Sequence, residues 1–123
     1  MRLWVGSSVE EALKKTTERI PEPVPAKGMI DTGATGTVIH PAVVRQLGLK
    51  PVGVIPISTA FSESVPCYKF LVRLIFPNNV IVETLAIEAP MRGQQIQCLI
   101  GRDILAQSIL IYTGYLNQFT VSF

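Results

Sequence analysis

The sequence predicts an all-β domain that carries two or three short helices. Short apolar segments recur along the chain, and turn residues separate them. Few segments have the spacing of a helix, and many short strands with few helices favour a closed or sandwich-like β fold. The 123 residues suit one domain, 1–123, large enough to build a core without disulfides or metals.

The first 25 residues predict a strand, a short helix and a proline-rich lead-in. Residues 2–6 are an apolar run and predict the strand. Ser8 precedes Glu11 by three positions, which is the spacing of a capping box, so a helix is expected over residues 8–19. Proline at every second position of residues 21–25 then excludes a helix and imposes an extended chain.

Residues 26–112 predict the main β region, and residues 108–123 predict a terminal hairpin. Apolar runs bounded by turn residues predict strands at residues 26–31, 37–39, 52–59, 65–76, 80–87, 97–100, 108–112 and 119–123. A helix over 41–47 is expected between a first-turn proline and Gly48, and another over 101–107. His40 is expected to cap the first of these helices or to lie at the surface.

Charge and hydropathy exclude several classes of function. The net charge is only +2 and the eleven basic residues are scattered, so nucleic acid is not an expected partner. No window reaches the roughly 18 apolar residues of a membrane span, and the first residues lack a signal-peptide pattern. No membrane partner and a cytoplasmic location are therefore expected. The 48% hydrophobic and 16% charged residues favour an oligomer, because surplus apolar surface is often buried between subunits.

Two cysteines, Cys67 and Cys98, and the single histidine have no metal-ligand spacing. No metal and no other cofactor are expected. The two cysteines can form one disulfide or remain as free thiols, and a pair of buried free thiols is the preferred interpretation.

The tripeptide Asp31, Thr32 and Gly33 follows an apolar strand and carries the clearest chemistry. An aspartate at a strand end can project its carboxylate into a cleft. The N–H of Gly33 can reach that carboxylate, and the hydroxyl of Thr32 can bond to a symmetry mate. The tripeptide alone is a weak signal because Asp and Gly are ordinary turn residues, so a simple turn remains the alternative here.

A second motif lies about 70 residues downstream, where residues 99–105 read Leu-Ile-Gly-Arg-Asp-Ile-Leu. Residues 29–49 resemble the active-site loop, strand and helix of retropepsin-like aspartic proteases, and residues 98–105 resemble their closing hydrophobic-Gly-Arg-Asp/Asn segment. Residues 54–74 look like the flap hairpin of that family. The likeness covers roughly residues 26–112 and is closest to bacterial single-domain members, which share a proline-rich lead-in and the Tyr-x-Gly…Phe-Thr-x-x-Phe ending.

The resemblance implies a closed acid-protease β-barrel with one lobe per chain, and it assigns Asp31 the catalytic role. The residues it assigns to the active-site loop and to dimer support are Thr32, Gly33, Ala34, Gly101, Arg102 and Asp103. The residues it assigns to the flap and to substrate binding are Ser58, Thr59, Ala60, Phe61, Val38, Ile57 and Ile100. Four of these, Val38, Ile57, Phe61 and Ile100, fit apolar pocket walls and ordinary core packing about equally.

The chain departs from the retroviral pattern at three places. Thr35 stands where retroviral members often have an acid that pairs with the downstream arginine. Arg102 is therefore expected to bond to Asp103, to another carboxylate or to backbone carbonyls. Retroviral chains end soon after the helix, whereas this chain continues into a hairpin, so its dimer contacts are expected to differ. Phe61 and Glu63 make the flap bulkier and more polar.

Aspartic proteolysis needs two carboxylates that share one proton. The only other aspartate, Asp103, does not lie in a strand-end turn. A two-fold homodimer would supply Asp31 of the partner subunit. The sequence thus predicts an aspartic endopeptidase that cleaves extended peptide or protein substrates. The alternative is a catalytically weak retropepsin-fold module for dimerisation or peptide binding, and a small nucleic-acid-binding β domain is a third, disfavoured by the mild charge.

Overall fold

The computed structural model describes residues 1–59, 62–91 and 95–123. In chain order its elements are β1 (Arg2–Val5), α1 (Ser7–Lys15), β2 (Val24–Pro25), β3 (Gly28–Ile30), β4 (Val38–Ile39), α2 (Pro41–Leu47), β5 (Gly53–Thr59), β6 (Ser62–Ile75), β7 (Ile81–Glu88), β8 (Cys98–Ile100), α3 (Arg102–Leu105), β9 (Ile109–Thr113) and β10 (Gln118–Ser122). Short 3₁₀ turns, Pro77–Asn79 and Gly114–Leu116, follow β6 and β9. The predicted all-β class with short helices is confirmed.

Most of the strands belong to one curled sheet. Within the described residues the strand order is β2-β1-β6-β7-β4-β8-β3, and β5 pairs with the first half of β6. The second half of β6 lies between β1 and β7. The sheet curls into a half-barrel, which is the one lobe per chain that the resemblance implied.

The core lies inside the curl and follows the alternation of β6. Phe70, Val72 and Leu74 are buried, whereas the residues between them face the other side of the sheet. These three side chains pack with apolar side chains from β1, β7, β8, α2 and α3 in one cluster. Period-two alternation of this kind is what a strand with one buried face requires.

Three short strands bring the two sequence motifs together. β8 pairs in parallel with β3 and antiparallel with β4. Ile30 lies opposite Ile100, so the next residues, Asp31 and Gly101, leave the sheet side by side. The Asp-Thr-Gly turn and the Gly-Arg-Asp segment therefore meet at one point of the fold.

The prediction for α2 is confirmed at both ends. Nδ1 of His40 accepts a hydrogen bond from the Ala42 N–H at 3.0 Å, so His40 is the cap. Gly48 ends the helix with φ of 62°, a conformation that glycine adopts without strain. α3 is shorter than predicted and ends at Leu105, because the carbonyl of that residue accepts both the N–H and the hydroxyl of Ser108.

The prediction for α1 is wrong at both ends. The helix covers Ser7–Lys15, and Ser8 lies inside its first turn, so Ser8 and Glu11 do not form a capping box. The carboxylate of Glu83 acts in its place and accepts the N–H of Ser7 at 2.7 Å. The accepting residue lies 76 positions away, and local spacing could not indicate it.

Arg73 fastens α1 to the outer face of the sheet. Its guanidinium pairs with Glu10 at 2.6 Å, donates to the Val5 carbonyl at 2.8 Å and lies over the Trp4 ring, 4.3 Å from the centroid. The hydrogen bond from Arg73 holds the pKa of Glu10 below its usual value. No residue of α1 is buried, so these contacts and the one to Glu83 position the helix.

β9 and β10 form a separate hairpin whose register sets Ile111 opposite Thr120. One face of the hairpin covers a cavity of about 520 Å³ against β3, β8 and α3. Ile30, Ile100, Leu105, Phe119 and Val121 are among the side chains that line it. Among the strands that the structure describes, β9 and β10 pair only with each other.

Candidate active site

Asp31 opens a tight turn at the end of β3. Its N–H donates to the Ile100 carbonyl at 3.0 Å, which continues the pairing of β3 with β8. Oδ1 of its carboxylate accepts the Gly33 N–H at 3.0 Å, as the sequence predicted. The backbone thus orients a carboxylate on a residue that remains partly exposed. Residues 31–36 are called the Asp31 loop below.

Arg102, the first residue of α3, binds the Asp31 loop through hydrogen bonds. Nη1 donates to the Thr32 carbonyl at 2.8 Å, and Nη2 donates to Oγ1 of Thr35 at 3.2 Å. The backbone N–H of Arg102 donates to the Ala34 carbonyl at 2.9 Å. The sequence left three kinds of partner open for Arg102, and the structure shows the backbone carbonyl. Thr35 adds a hydroxyl at the position where retroviral members often have an acid.

Gly101 allows two backbone segments to touch. A Cβ atom at this position would lie 2.5 Å from the carbonyl carbon and oxygen of Gly36, and 2.9 Å from the nitrogen of Thr37. These distances are far shorter than a van der Waals contact, and the atoms involved belong to the backbone. Only glycine therefore fits between the end of β8 and the Asp31 loop.

The carboxylate of Asp103 holds the residue that follows the Asp31 loop. Its Oδ1 accepts the Thr37 hydroxyl at 2.8 Å, and its Oδ2 accepts the Thr84 hydroxyl at 2.6 Å. Oγ1 of Thr37 also accepts the Gly101 N–H at 3.2 Å. Both oxygens of Asp103 are thus engaged in joining α3, β7 and the residue that follows the Asp31 loop.

Thr37 and Thr84 are absent from the predicted site residues. Thr37 is fully buried, and a buried hydroxyl must find a partner. A threonine directly before the apolar pair of β4 was the available signal for it. Thr84 offered no such signal, because a threonine is ordinary in a strand with one exposed face.

Cys98 is a buried residue of β8. Burial raises the pKa of its thiol to about 12, and the negative charge of Asp103 contributes to the shift. Cys98 is fully buried and Cys67 is half-buried, and both are free thiols. The sequence favoured two buried thiols, and only Cys98 is buried.

Two of the predicted flap residues lie in the β5–β6 hairpin. Ser58 and Thr59 end β5, and Thr59 pairs with Ser62 at the start of β6. Ala60 and Phe61 lie outside the described residues. The hairpin itself is present as predicted, with Ile57 opposite Val65 in its register.

The remaining predicted wall residues lie behind the Asp31 loop. Val38 is half-buried on β4 and pairs with both Leu99 and Ile87. Ile100 is 6% exposed and belongs to the core cluster. Its side chain also lines the cavity beneath the hairpin. Within a single chain, Ile100 is therefore a core residue.

Metal and membrane features can be assessed for residues 1–59, 62–91 and 95–123. Over these ranges no group of three or more His, Cys, Asp or Glu side chains could hold a metal ion. In the same residues, no helix has the length and apolar character needed to cross a membrane.

A half-barrel lobe with Asp-Thr-Gly at the end of one strand, backed by hydrophobic-Gly-Arg-Asp on its neighbour, defines a retropepsin-like fold. Residues 19–104 match the family model described as aspartyl protease, which covers more than half of the chain. The chain belongs to this aspartyl protease family, and family membership supports aspartic protease activity in general. A search of curated protein sequences finds no significant match.

Proposed function

We propose that the protein is an aspartic endopeptidase whose catalytic dyad forms from Asp31 of two identical chains. One observation supports this most directly: the Asp31 carboxylate is oriented by the Gly33 N–H at 3.0 Å while the residue stays partly exposed. Asp103, the other aspartate, has both carboxylate oxygens bonded to threonine hydroxyls. A second carboxylate must therefore come from a second chain.

The chemistry follows from two carboxylates that share one proton. The ionised carboxylate removes a proton from a water molecule, and the oxygen of that water attacks the peptide carbonyl carbon. The protonated carboxylate donates its proton to the carbonyl oxygen, which gives a neutral tetrahedral diol. Proton transfer to the amide nitrogen then allows the C–N bond to break. Two negative charges at the axis would repel each other, so a proton shared between the two carboxylates is favoured.

The proposed substrate is an extended peptide that lies between the dyad and the β5–β6 hairpin. An extended segment can add strand-like backbone hydrogen bonds to a β hairpin, so recognition would depend partly on the peptide backbone. Ser58 and Thr59 stand at the end of β5, where such a segment would pass.

The test is the substitution Asp31→Asn, which keeps the size and much of the hydrogen bonding of the side chain and removes its charge. Cleavage of a peptide library should fall by roughly a thousandfold or more, while sedimentation shows an unchanged dimer. Glu22→Gln, at an exposed carboxylate outside the site, is the matched control and should cleave as wild type does. Equal cleavage by Asp31→Asn and wild type would contradict the assignment.

The alternative is a catalytically weak retropepsin fold that dimerises or binds peptides. Two features of the sequence motivate it: the bulky residue Phe61 in the predicted flap, and Thr35 in place of an acid that could pair with Arg102. The two hydrogen bonds that Arg102 makes to Thr32 and Thr35 weaken the second motive. Incubation with a diverse peptide pool at several pH values separates the two functions, since the alternative expects bound but uncut peptides.

A further inference from the structure

Two prolines lie directly opposite each other in the β5–β6 hairpin. Pro56 of β5 pairs with Pro66 of β6. In an antiparallel ladder, pairs that exchange two N–H···O bonds alternate with pairs that exchange none. Proline has no N–H group, so two opposed prolines can only be a pair of the second kind. The nitrogen and the carbonyl of both residues therefore face away from the partner strand, toward the two outer edges of the hairpin.

Each outer edge of the hairpin consequently lacks one hydrogen-bond donor. Among the strands that the structure describes, β5 pairs only with β6, and residues 62–68 of β6 pair only with β5. Both edges are therefore open to an additional strand, which would need N–H donors as well as carbonyl acceptors. At Pro56 and at Pro66 such a strand would find an acceptor but no donor.

The outer edge of β5 is the more regular of the two edges. Ile57 lies opposite Val65, and Thr59 lies opposite Ser62. Two residues of β6 therefore face one residue of β5 between these pairs, and this arrangement is a β-bulge in β6. A bulge distorts the edge of the strand that carries it, whereas β5 keeps its alternation to its end. An extended peptide is accordingly expected to pair with β5.

Ser58 is the residue of β5 with which a peptide can exchange both backbone hydrogen bonds. Successive residues of a strand direct their backbone N–H and C=O groups to opposite edges. Because Pro56 faces the outer edge, Ser58 does too, and the residues on either side of Ser58 face β6. Pro56 lies two residues before Ser58, roughly 7 Å along the strand at about 3.3 Å per residue. Peptide pairing with β5 is thus complete at Ser58 and incomplete at the next outward-facing residue, Pro56.

We infer that Pro56 limits the length of peptide that the active site recognises, because backbone pairing between β5 and the substrate ends at this residue. The inference rests on the proposed function, in which an extended peptide lies between the dyad and this hairpin. The part of the peptide beside Ser58 would exchange both hydrogen bonds with β5. The part beside Pro56 would donate to its carbonyl and receive no bond in return. Residues added to the peptide beyond this point would therefore add little affinity.

The first experiment compares two peptides built on one library peptide that wild type cleaves. They have about six and about twelve residues, which span roughly 20 and 40 Å when extended. The added residues are alternating Ser and Ala, so that the longer peptide gains mainly backbone contacts. For wild type, KM should differ by less than about twofold between the two peptides, which is below the effect of one hydrogen bond. A KM that falls more than about tenfold with length in wild type overturns the inference.

The second experiment restores the missing donor with Pro56→Ala. The new N–H would face the outer edge, so the bonds between β5 and β6 are kept. KM for the longer peptide should fall about three- to tenfold with kcat unchanged, and the shorter peptide should behave as with wild type.

Pro66→Ala is the matched control, because it removes the same ring and restores a donor on the other edge. It should cleave both peptides as wild type does, and both variants should keep the far-ultraviolet circular dichroism of the wild type. An unchanged KM with Pro56→Ala, or an equal fall with Pro66→Ala, overturns the inference.

Peptide binding to Asp31→Asn separates this inference from the proposed function. Fluorescence anisotropy with the two labelled peptides gives Kd for Asp31→Asn and for Asp31→Asn/Pro56→Ala, and only the longer peptide should bind the double variant about three- to tenfold more tightly. If no library peptide is cleaved, one that wild type binds is used instead. The binding effect without any cleavage by wild type supports the role of Pro56 and contradicts the proposed function.

The opposite result also distinguishes the two. If wild type cleaves both peptides and Pro56→Ala changes neither KM nor Kd, the proposed function stands and the inference is wrong. Peptides that are neither cleaved nor bound overturn both.

Discussion

Arg102 and Asp103 are neighbours in the chain, yet they hold two different sides of the Asp31 loop. Arg102 donates to the loop itself, through Thr32 and Thr35, while Asp103 accepts from Thr37 directly behind it. Asp31 and its bond from Gly33 could be predicted from the sequence because donor and acceptor are two residues apart. The partners of Asp103 could not, since they lie 66 and 19 positions away and no periodicity relates them.

The raised pKa of Cys98 gives a pH dependence of stability. The pKa of the thiol rises from its ordinary value of 9.0 to about 12 on folding, so the folded state keeps a proton that the unfolded chain releases. The stabilisation that this provides is complete below about pH 9 and is lost as the pH rises toward about 12. The slope over that window is up to about 1.4 kcal/mol per pH unit.

The measurement is chemical denaturation of wild type and Cys98→Ala from about pH 8 to about pH 11. The difference in free energy of unfolding between the two proteins should shrink as the pH rises, because the variant lacks this titration. A thiol reagent provides a second check, since half-buried Cys67 should react faster than Cys98. A difference that does not vary with pH would contradict the prediction.

At the scale of elements, the junction of β8 and α3 depends on the close approach of Gly101 to the Asp31 loop. Gly101→Ala would place a methyl group 2.5 Å from the backbone of Gly36. We expect this variant to lose about 1–3 kcal/mol of stability and to cleave peptides more slowly, because the loop must shift. Thermal unfolding and the peptide assay measure the two effects.

Gly36→Ala is the control for Gly101→Ala because it changes the other side of the same contact. A Cβ atom at Gly36 meets nothing within 4 Å, so this substitution should leave stability nearly unchanged. Equal losses from the two substitutions would show that steric contact is not the reason that glycine is needed at residue 101.

At the scale of the whole molecule, one chain provides a half-barrel with a single Asp-Thr-Gly turn. Strand positions, α2 and the two motifs could be predicted because periodicity, caps and turn residues are local signals. The order of strands in the sheet could not, because β3 pairs with β8 across most of the chain. The start of α1 was predicted wrongly for a related reason, since Glu83 of β7 binds Ser7.

The proposed shared dyad makes activity depend on both chains of each dimer. When wild type is mixed and equilibrated with an equal amount of Asp31→Asn, random pairing leaves about a quarter of the dimers with two intact aspartates. Specific activity per total protein should therefore fall to about one quarter of wild type, measured with a peptide substrate. Simple dilution by an inert protein would leave about half.

The pairing of Ile30 with Ile100 also constrains when the Asp31 loop can form during synthesis. The partner strand β8 and the residues that hold the loop, Gly101 to Asp103, are translated about 70 residues after β3. A chain released before that point contains Asp31 but lacks the residues that position its loop. Under the proposed function, incomplete chains would be harmless to the proteins around them, because proteolysis would begin only after residues 98–103 have been made and two chains have associated.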